Sequence, residues 1–194
     1  MSGLFDEANG ATKLEPEERN GLLQTWITFR SELNEAEQTN ITGGTAWAYR
    51  GRRDILTEEF IKRLHGKMFG DVWAWAGAFR VTERNIGIDP ARIPIELRMA
   101  LDDARHWVEN TTYPPDEIAV RFHHRLVAIH PFPNGNGRTA RLMADLLVDR
   151  LRQEPFTWGR VSLTDVSETR TRYLAALRAA DGYDIAPLLE FARS

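Results

Sequence analysis

His130, the glycines at 135 and 137 and the arginines at 138 and 141 fall within twelve residues, in the run His130-Pro131-Phe132-Pro133-Asn134-Gly135-Asn136-Gly137-Arg138-Thr139-Ala140-Arg141. An imidazole has its ordinary pKa near the operating pH, so it suits proton abstraction. The two glycines leave room for a backbone to approach an anion. An apolar run follows (Leu142, Met143, Leu146, Leu147) and reads as a helix. Its first amide N–H groups and the positive end of its dipole make a seat for phosphate. Arg138 and Arg141, three apart, share a helical face and can hold further phosphate oxygens. A lone histidine is usually a cap or a core contact, and a lone Gly-x-Gly is usually a loop. Together they read as chemistry on a phosphate ester.

The elements around this run must deliver His130 to one end and start a helix at the other. Phe122, Leu126, Val127 and Ile129 give the preceding helix, opened by Pro114-Pro115-Asp116-Glu117. The second helix runs to about Arg152. Upstream, Glu15-Pro16-Glu17-Glu18-Arg19 reads as a helix start. Trp26, Phe29, Leu33 and Ala36 read as an apolar helical stripe, and Thr42-Gly43-Gly44-Thr45 as a break or bend. Thr57-Glu58-Glu59 opens a capped helix carrying Phe60, Ile61 and Leu64 inward. The aromatic-rich stretch 69–80 interrupts the helical pattern. The alternation and turn residues from Val81 to Pro94 then predict a short β-hairpin or extended flap. Helical spacing returns from Ile95 to Val108, from Thr164 to Ala180 and from Ile185 to Phe191. His123 and His130 do not have the i, i+4 spacing of a helical metal pair, so His123 and His124 read as packing and hydrogen-bonding residues.

The chain has 194 residues, 42% hydrophobic and 27% charged, which suits one domain with an ordinary core. A net charge of −3 and a pI near 6.0 supply no basic footprint for nucleic acid. No apolar run reaches membrane-spanning length, and no signal peptide opens the chain. Without cysteine there is no disulfide framework and no thiolate chemistry. A cytoplasmic protein is the natural expectation.

The twelve-residue run resembles the motif of the Fic (Fic/Doc) family, HPFx followed by a metal-contacting position and GNGRxxR. It matches at His130, Pro131, Phe132, Gly135, Asn136, Gly137, Arg138 and Arg141. The resemblance implies a mainly α, single-domain helical bundle with one short β-hairpin flap. It also implies nucleotidyl transfer, most often of AMP from ATP to a hydroxyl on a target protein or on the chain itself, with Mg²⁺. In that scheme His130 is the general base. The backbone around Gly135, Asn136 and Gly137, with the Asn136 side chain, holds the transferred phosphoryl group. Arg138 and Arg141 hold the outer phosphates, and Phe132 anchors the loop. The flap, at Ile86, Gly87 and Ile88, docks the target by strand addition. Position 134 is usually Asp or Glu in members that transfer AMP. Asn134 offers Mg²⁺ only a neutral oxygen and predicts weaker metal binding. It keeps open a phosphotransferase, a transferase using another nucleotide, and a silent toxin–antitoxin-type regulatory protein.

Many Fic proteins also carry an inhibitory helix, Ser/Thr-x-x-x-Glu-Gly/Asn, whose glutamate pairs with the second motif arginine. Ser31-x-x-x-Glu35, followed by Ala36, comes near that pattern and implies an Arg141–Glu35 ion pair. Thr28 with Glu32 is a second register, and Thr164 with Glu168 a third. Such acidic spacings also arise on ordinary solvated helix faces. Residues 1–50 are thus expected to be an arm with an inhibitory helix, and residues 51–194 the catalytic domain. Through Glu32–Glu37 and Trp75-Ala76-Gly77, the chain as a whole is similar to the small bacterial Fic proteins called mobile mystery protein B.

Overall fold

Helix α6 (Asn136–Arg150) is the element on which the others converge: α2 (Arg30–Tyr49), α3 (Glu58–Phe69) and α5 (Pro115–Ile129) all pack against it. The computed structural model describes residues 4–5, 14–160 and 166–194. A four-residue helix α1 (Pro16–Arg19) leads in, α4 (Ile93–Glu109) lies on α5, and α7 (Val166–Asp181) pairs with α8 (Ala186–Arg193). One apolar core runs through these elements and includes Leu33, Leu64, Phe69, Phe122, Phe132, Met143 and Leu188, each at most 1% exposed. No described helix is long and apolar enough to cross a membrane.

Local chemistry sets the helix ends. Thr57 caps α3, its hydroxyl accepting from the Phe60 N–H at 3.1 Å, with Glu58 and Glu59 in the first turn. Pro115, Asp116 and Glu117 open α5. Glu32 accepts from the Thr28 and Phe29 N–H groups at 2.8 and 3.0 Å, closing the start of α2.

Three expectations are corrected. The glycines at 43 and 44 do not interrupt the chain, since α2 continues through them to Tyr49. Gly44 is where α2 crosses α3 at backbone contact: a Cβ there would lie 2.7 Å from the Lys67 carbonyl oxygen and 2.8 Å from the Met68 nitrogen. Asn40 reinforces the crossing, donating to the Lys67 carbonyl at 3.1 Å. Trp26 and Phe29 precede α2 rather than lining it, and are 62% and 55% exposed.

The third correction is the β-hairpin. Among the described residues no strand forms, and residues 79–89 are irregular apart from turns and bends. The carbonyls of Thr82 and Ile88, which a ladder would use across the hairpin, accept instead from the Arg80 guanidinium at 2.8 and 2.5 Å. The segment's amides turn to the motif, with the Arg80 N–H on the Pro131 carbonyl at 2.9 Å and the Ile88 N–H on the Ile129 carbonyl at 3.5 Å. The flap is a loop laid along the motif. It also reaches α1, where Arg84 pairs with Glu15 at 3.0 Å and with Glu18.

The two adjacent glycines of α2 predict opposite effects. Gly43 has open space at its Cβ position, so Gly43→Ala is expected to stabilise the chain by up to about 1 kcal/mol through helix propensity. At Gly44 the obstructing atoms are backbone, so Gly44→Ala is expected to destabilise by roughly 1–3 kcal/mol despite the same propensity gain. Urea unfolding of both variants checks the pair, and equal signs would contradict the crossing.

Candidate active site

Helix α5 ends at Ile129, and the next residue reverses the chain. His130 takes a left-handed backbone (φ 54°, ψ 60°), its N–H donating to the Leu126 carbonyl at 3.1 Å. A non-glycine residue held this way is strained by about 1–2 kcal/mol, so its surroundings must fix it. Pro131, Phe132 and Pro133 carry the chain across the core, all buried. Gly135 is again left-handed (φ 79°) and caps α6. A Cβ there would meet the Phe69 ring at 2.7 Å and the His65 Nε2 at 3.2 Å, so glycine is required for space as well as for conformation. The first intrahelical bond of α6 is Thr139 N–H to Gly135 carbonyl, 2.9 Å. The amides of Asn136, Gly137 and Arg138 thus form the open first turn, at the positive end of the dipole.

Phe132 anchors the turn as expected. It is fully buried and stacks on the His65 ring at 3.8 Å between centroids. Asn136 departs from its expected role. Its Oδ1 accepts from the Phe132 N–H at 2.9 Å, and its Nδ2 donates to the Phe132 carbonyl at 2.7 Å. With the residue 4% exposed, its side chain latches the turn shut, and phosphate contact falls to the backbone. His65 is a second latch that sequence reading missed. Its Nδ1 accepts from the Gly77 N–H at 2.9 Å, leaving Nε2 as the donor to the Asn134 carbonyl at 3.0 Å. The only signal was its spacing from Ile61 and Met68, which puts it on the buried face of α3.

The two arginines sit differently. Arg141 packs over the Tyr173 ring at 5.5 Å and donates from Nε to the Gly137 carbonyl at 3.2 Å. Tyr173 in turn shares a 3.0 Å hydrogen bond with His123, which is fully buried. Arg138 pairs with Glu37 at 2.6 Å, packs over Phe69 at 4.7 Å and donates to the Asn134 Oδ1 at 3.2 Å. Glu37 is 7% exposed, and its other oxygen accepts from Trp73 Nε1 at 2.8 Å.

The expected Glu35–Arg141 ion pair does not form among the described residues. Ser31 and Glu35 lie on the exposed side of α2, and Glu32 is spent closing the start of that helix. The acid that reaches the motif is Glu37, two residues beyond Glu35 and on the opposite face. Glu168 is exposed on α7, and its partner Thr164 lies outside the described residues. The flap positions stand beside His130: a Cβ on Gly87 would lie 2.7 Å from the His130 Cβ. Ile86 and Ile88 are half-buried on either side.

For a divalent metal the donor set fits poorly. Asn134 supplies a neutral oxygen already used by the Gly135 N–H at 2.6 Å and by Arg138. An adjacent guanidinium repels a cation, and Mg²⁺ favours carboxylates and phosphates.

A histidine at a helix end, a latched turn and an open helix N-terminus flanked by arginines make an anion-binding junction between two helices. Residues 55–148 form a Fic/DOC family domain, the stretch that the family's model matches. The protein adenylyltransferase fic-1 of Caenorhabditis elegans is 32% identical over 142 residues, which is 71% of this chain and 27% of that protein. Protein adenylyltransferase Fic of Drosophila grimshawi is 30% identical over 140 residues, covering 70% and 28%. The chain thus spans little more than a quarter of the length of these curated relatives. Among solved structures, Fic-1 (aa134 - 508) from C. elegans is 27% identical with a TM-score of 0.59, over 81% of this chain and 47% of that one. BepC, a VirB-translocated effector protein from Bartonella tribocorum with bound AMPPNP, shares the fold at 16% identity, with a TM-score of 0.68 over 92% and 97% of the two chains.

Burial holds three imidazoles neutral. It lowers His65 and His123 to about 3 and His130 to about 4, with Arg80 and Arg84 adding to the effect at His130. Unfolded imidazoles titrate near 6.5, so below that pH the unfolded chain binds protons the folded chain refuses. Their contribution to stability is complete above about 6.5 and is lost as pH falls toward 4, at up to about 1 kcal/mol per pH unit for each. The melting temperature is expected to fall steadily between pH 6.5 and 4.5, and a flat profile there would contradict the burial.

Proposed function

We propose that this chain transfers AMP from ATP to a side-chain hydroxyl, on an unidentified target protein or on itself. The observation that carries the reading is the junction of α5 and α6, where a buried, neutral histidine and an open helix N-terminus are built into one latched turn. His130 takes the hydroxyl proton as the oxygen bonds to the α-phosphorus. The bond from that phosphorus to the bridging oxygen breaks, and pyrophosphate leaves. The amides opening α6 stabilise the charge that develops on the phosphoryl oxygens, and Arg138 and Arg141 hold the outer phosphates. ATP enters as co-substrate. Mg²⁺ is assigned to the nucleotide rather than to a cage of protein ligands, given the neutral oxygen at Asn134. The names of the adenylyltransferase relatives support this donor over a phosphotransferase, although Asn134 keeps that alternative as the second reading. Residues 86–88, beside His130, are the docking segment for the target's hydroxyl, and the reaction is assigned to the cytoplasm, where ATP is at hand.

Residues 1–50 serve as the regulatory segment of a catalytic unit formed by residues 51–194. The inhibitory contact is Glu37 on Arg138 rather than Glu35 on Arg141. A phosphate must displace the Glu37 carboxylate before Arg138 can serve the nucleotide, and Trp73 keeps that carboxylate in place.

With Mg²⁺ present, α-³²P-labelled ATP is expected to label the chain in a His130-dependent way, and His130→Ala to abolish the label. Label arriving only from γ-³²P-labelled ATP would turn the reading to phosphotransfer. Glu37→Gln keeps a partner for Trp73 but removes the charge from Arg138, and should raise labelling about tenfold, the equivalent of one charge-assisted bond. Unchanged labelling would remove Glu37 as the inhibitory residue.

A further inference from the structure

Arg80 is 2% exposed and is the most heavily engaged buried cation near the motif. Its Nε donates to the His130 carbonyl at 2.6 Å, and its Nη2 to the Ile129 carbonyl at 3.4 Å and the Ile88 carbonyl at 2.5 Å. Its Nη1 donates to the Thr82 carbonyl at 2.8 Å. Its own N–H reaches the Pro131 carbonyl at 2.9 Å. One residue therefore contacts three consecutive carbonyls, from the last residue of α5 into the motif, and two of the flap. Among the described residues no carboxylate lies within ion-pair distance of it, so carbonyl dipoles are its direct partners, and Asp89, Glu18 and Glu83 favour the charge only from further off.

That arrangement is costly for a fold that merely needed to fill space, since an apolar side chain would be buried without desolvating a charge. It answers a specific need. The carbonyls that end α5 have no intrahelical partner, and a cation there also meets the negative end of the helix dipole. Two of them belong to Ile129 and to the strained His130. Reaching four carbonyls in different directions takes the planar five-donor fork of arginine, which an ammonium group cannot reproduce. Gly87 shows how tight the junction is: a Cβ there would lie 2.7 Å from both the Arg80 Nη2 and the His130 Cβ.

We infer that Arg80 is a positioning residue that caps α5, fixes the left-handed backbone of His130 and pins residues 82–88 to it, so that base and flap move as one body. The role in turnover rests on the transfer reaction proposed above, but the clamp is a physical claim that can be tested without it.

The test compares wild type with Arg80→Lys, which keeps the charge, and Arg80→Ala, in the full chain. Amide hydrogen exchange read by mass spectrometry is expected to rise about tenfold or more at the Ile88 and His130 amides in both variants, with α2, α3 and α6 unchanged. Label from α-³²P-labelled ATP should fall at least about thirtyfold, with the half-saturating ATP concentration within about twofold of wild type, because the phosphate seat lies on α6. Added guanidinium chloride at millimolar concentration should restore part of the label in Arg80→Ala but not in Arg80→Lys, whose own side chain blocks the space. Unchanged exchange at both amides overturns the clamp. So does increased exchange spread evenly through the chain, which would make Arg80 a general fold residue. If wild type itself takes no label, the transfer reading fails, while the exchange result still decides the clamp.

Discussion

Between Ile129 and Asn136 the backbone ends one helix, reverses and begins another, while leaving an imidazole and a row of amide donors in the same small volume. Two residues in that span are left-handed, and one of them is not glycine. Such a path is not stable alone. The side chains that hold it come from four directions: Asn136 from α6, His65 from α3, Arg80 from the flap and Phe132 from the turn itself. Each makes hydrogen bonds to, or stacks against, parts of the turn that no helix serves. The arrangement of the turn follows from satisfying backbone groups that the reversal leaves open.

This explains why so many polar residues are buried in a small helical domain. His65, Arg80, His123 and Asn136 are 4% exposed or less, yet each has a hydrogen-bond partner. Buried polar groups that are fully paired specify one arrangement, because any slip breaks several bonds at once. The same burial keeps His130 neutral, which is the state a general base requires.

The sequence exposed the motif and its helices because those signals are local. Proline and acids mark the start of α5, glycine marks the start of α6, and helical spacing marks the faces between them. It did not expose the partners. His65 lies sixty-nine residues from Asn134 and Arg80 fifty from His130, and no local pattern announces such a contact. The missing hairpin has the same origin. Alternation from Val81 onward was real, but a ladder needs free carbonyls, and Arg80 takes those of Thr82 and Ile88. The glycines of α2 misled for a related reason, since a glycine that permits close helix crossing looks in sequence like one that breaks a helix. Motif spacing points to Glu35, whereas the buried face of α2 brings Glu37 to the motif.

Asn134 and Glu37 are best understood together, as a charge count around Arg138. The guanidinium meets the Glu37 carboxylate at 2.6 Å and the Asn134 amide oxygen at 3.2 Å. One cation faces one anion, and the pair is neutral. A carboxylate at position 134 would place two anions on the same arginine. Glu37 would then be bound less tightly, because a second acid would share the available donors, and it would also be repelled. The neutral residue that weakens the site for a divalent cation therefore strengthens the hold of α2 on the motif. The two departures from the family pattern, at the metal position and in the helix that reaches the arginine, are one electrostatic adjustment seen from two sides.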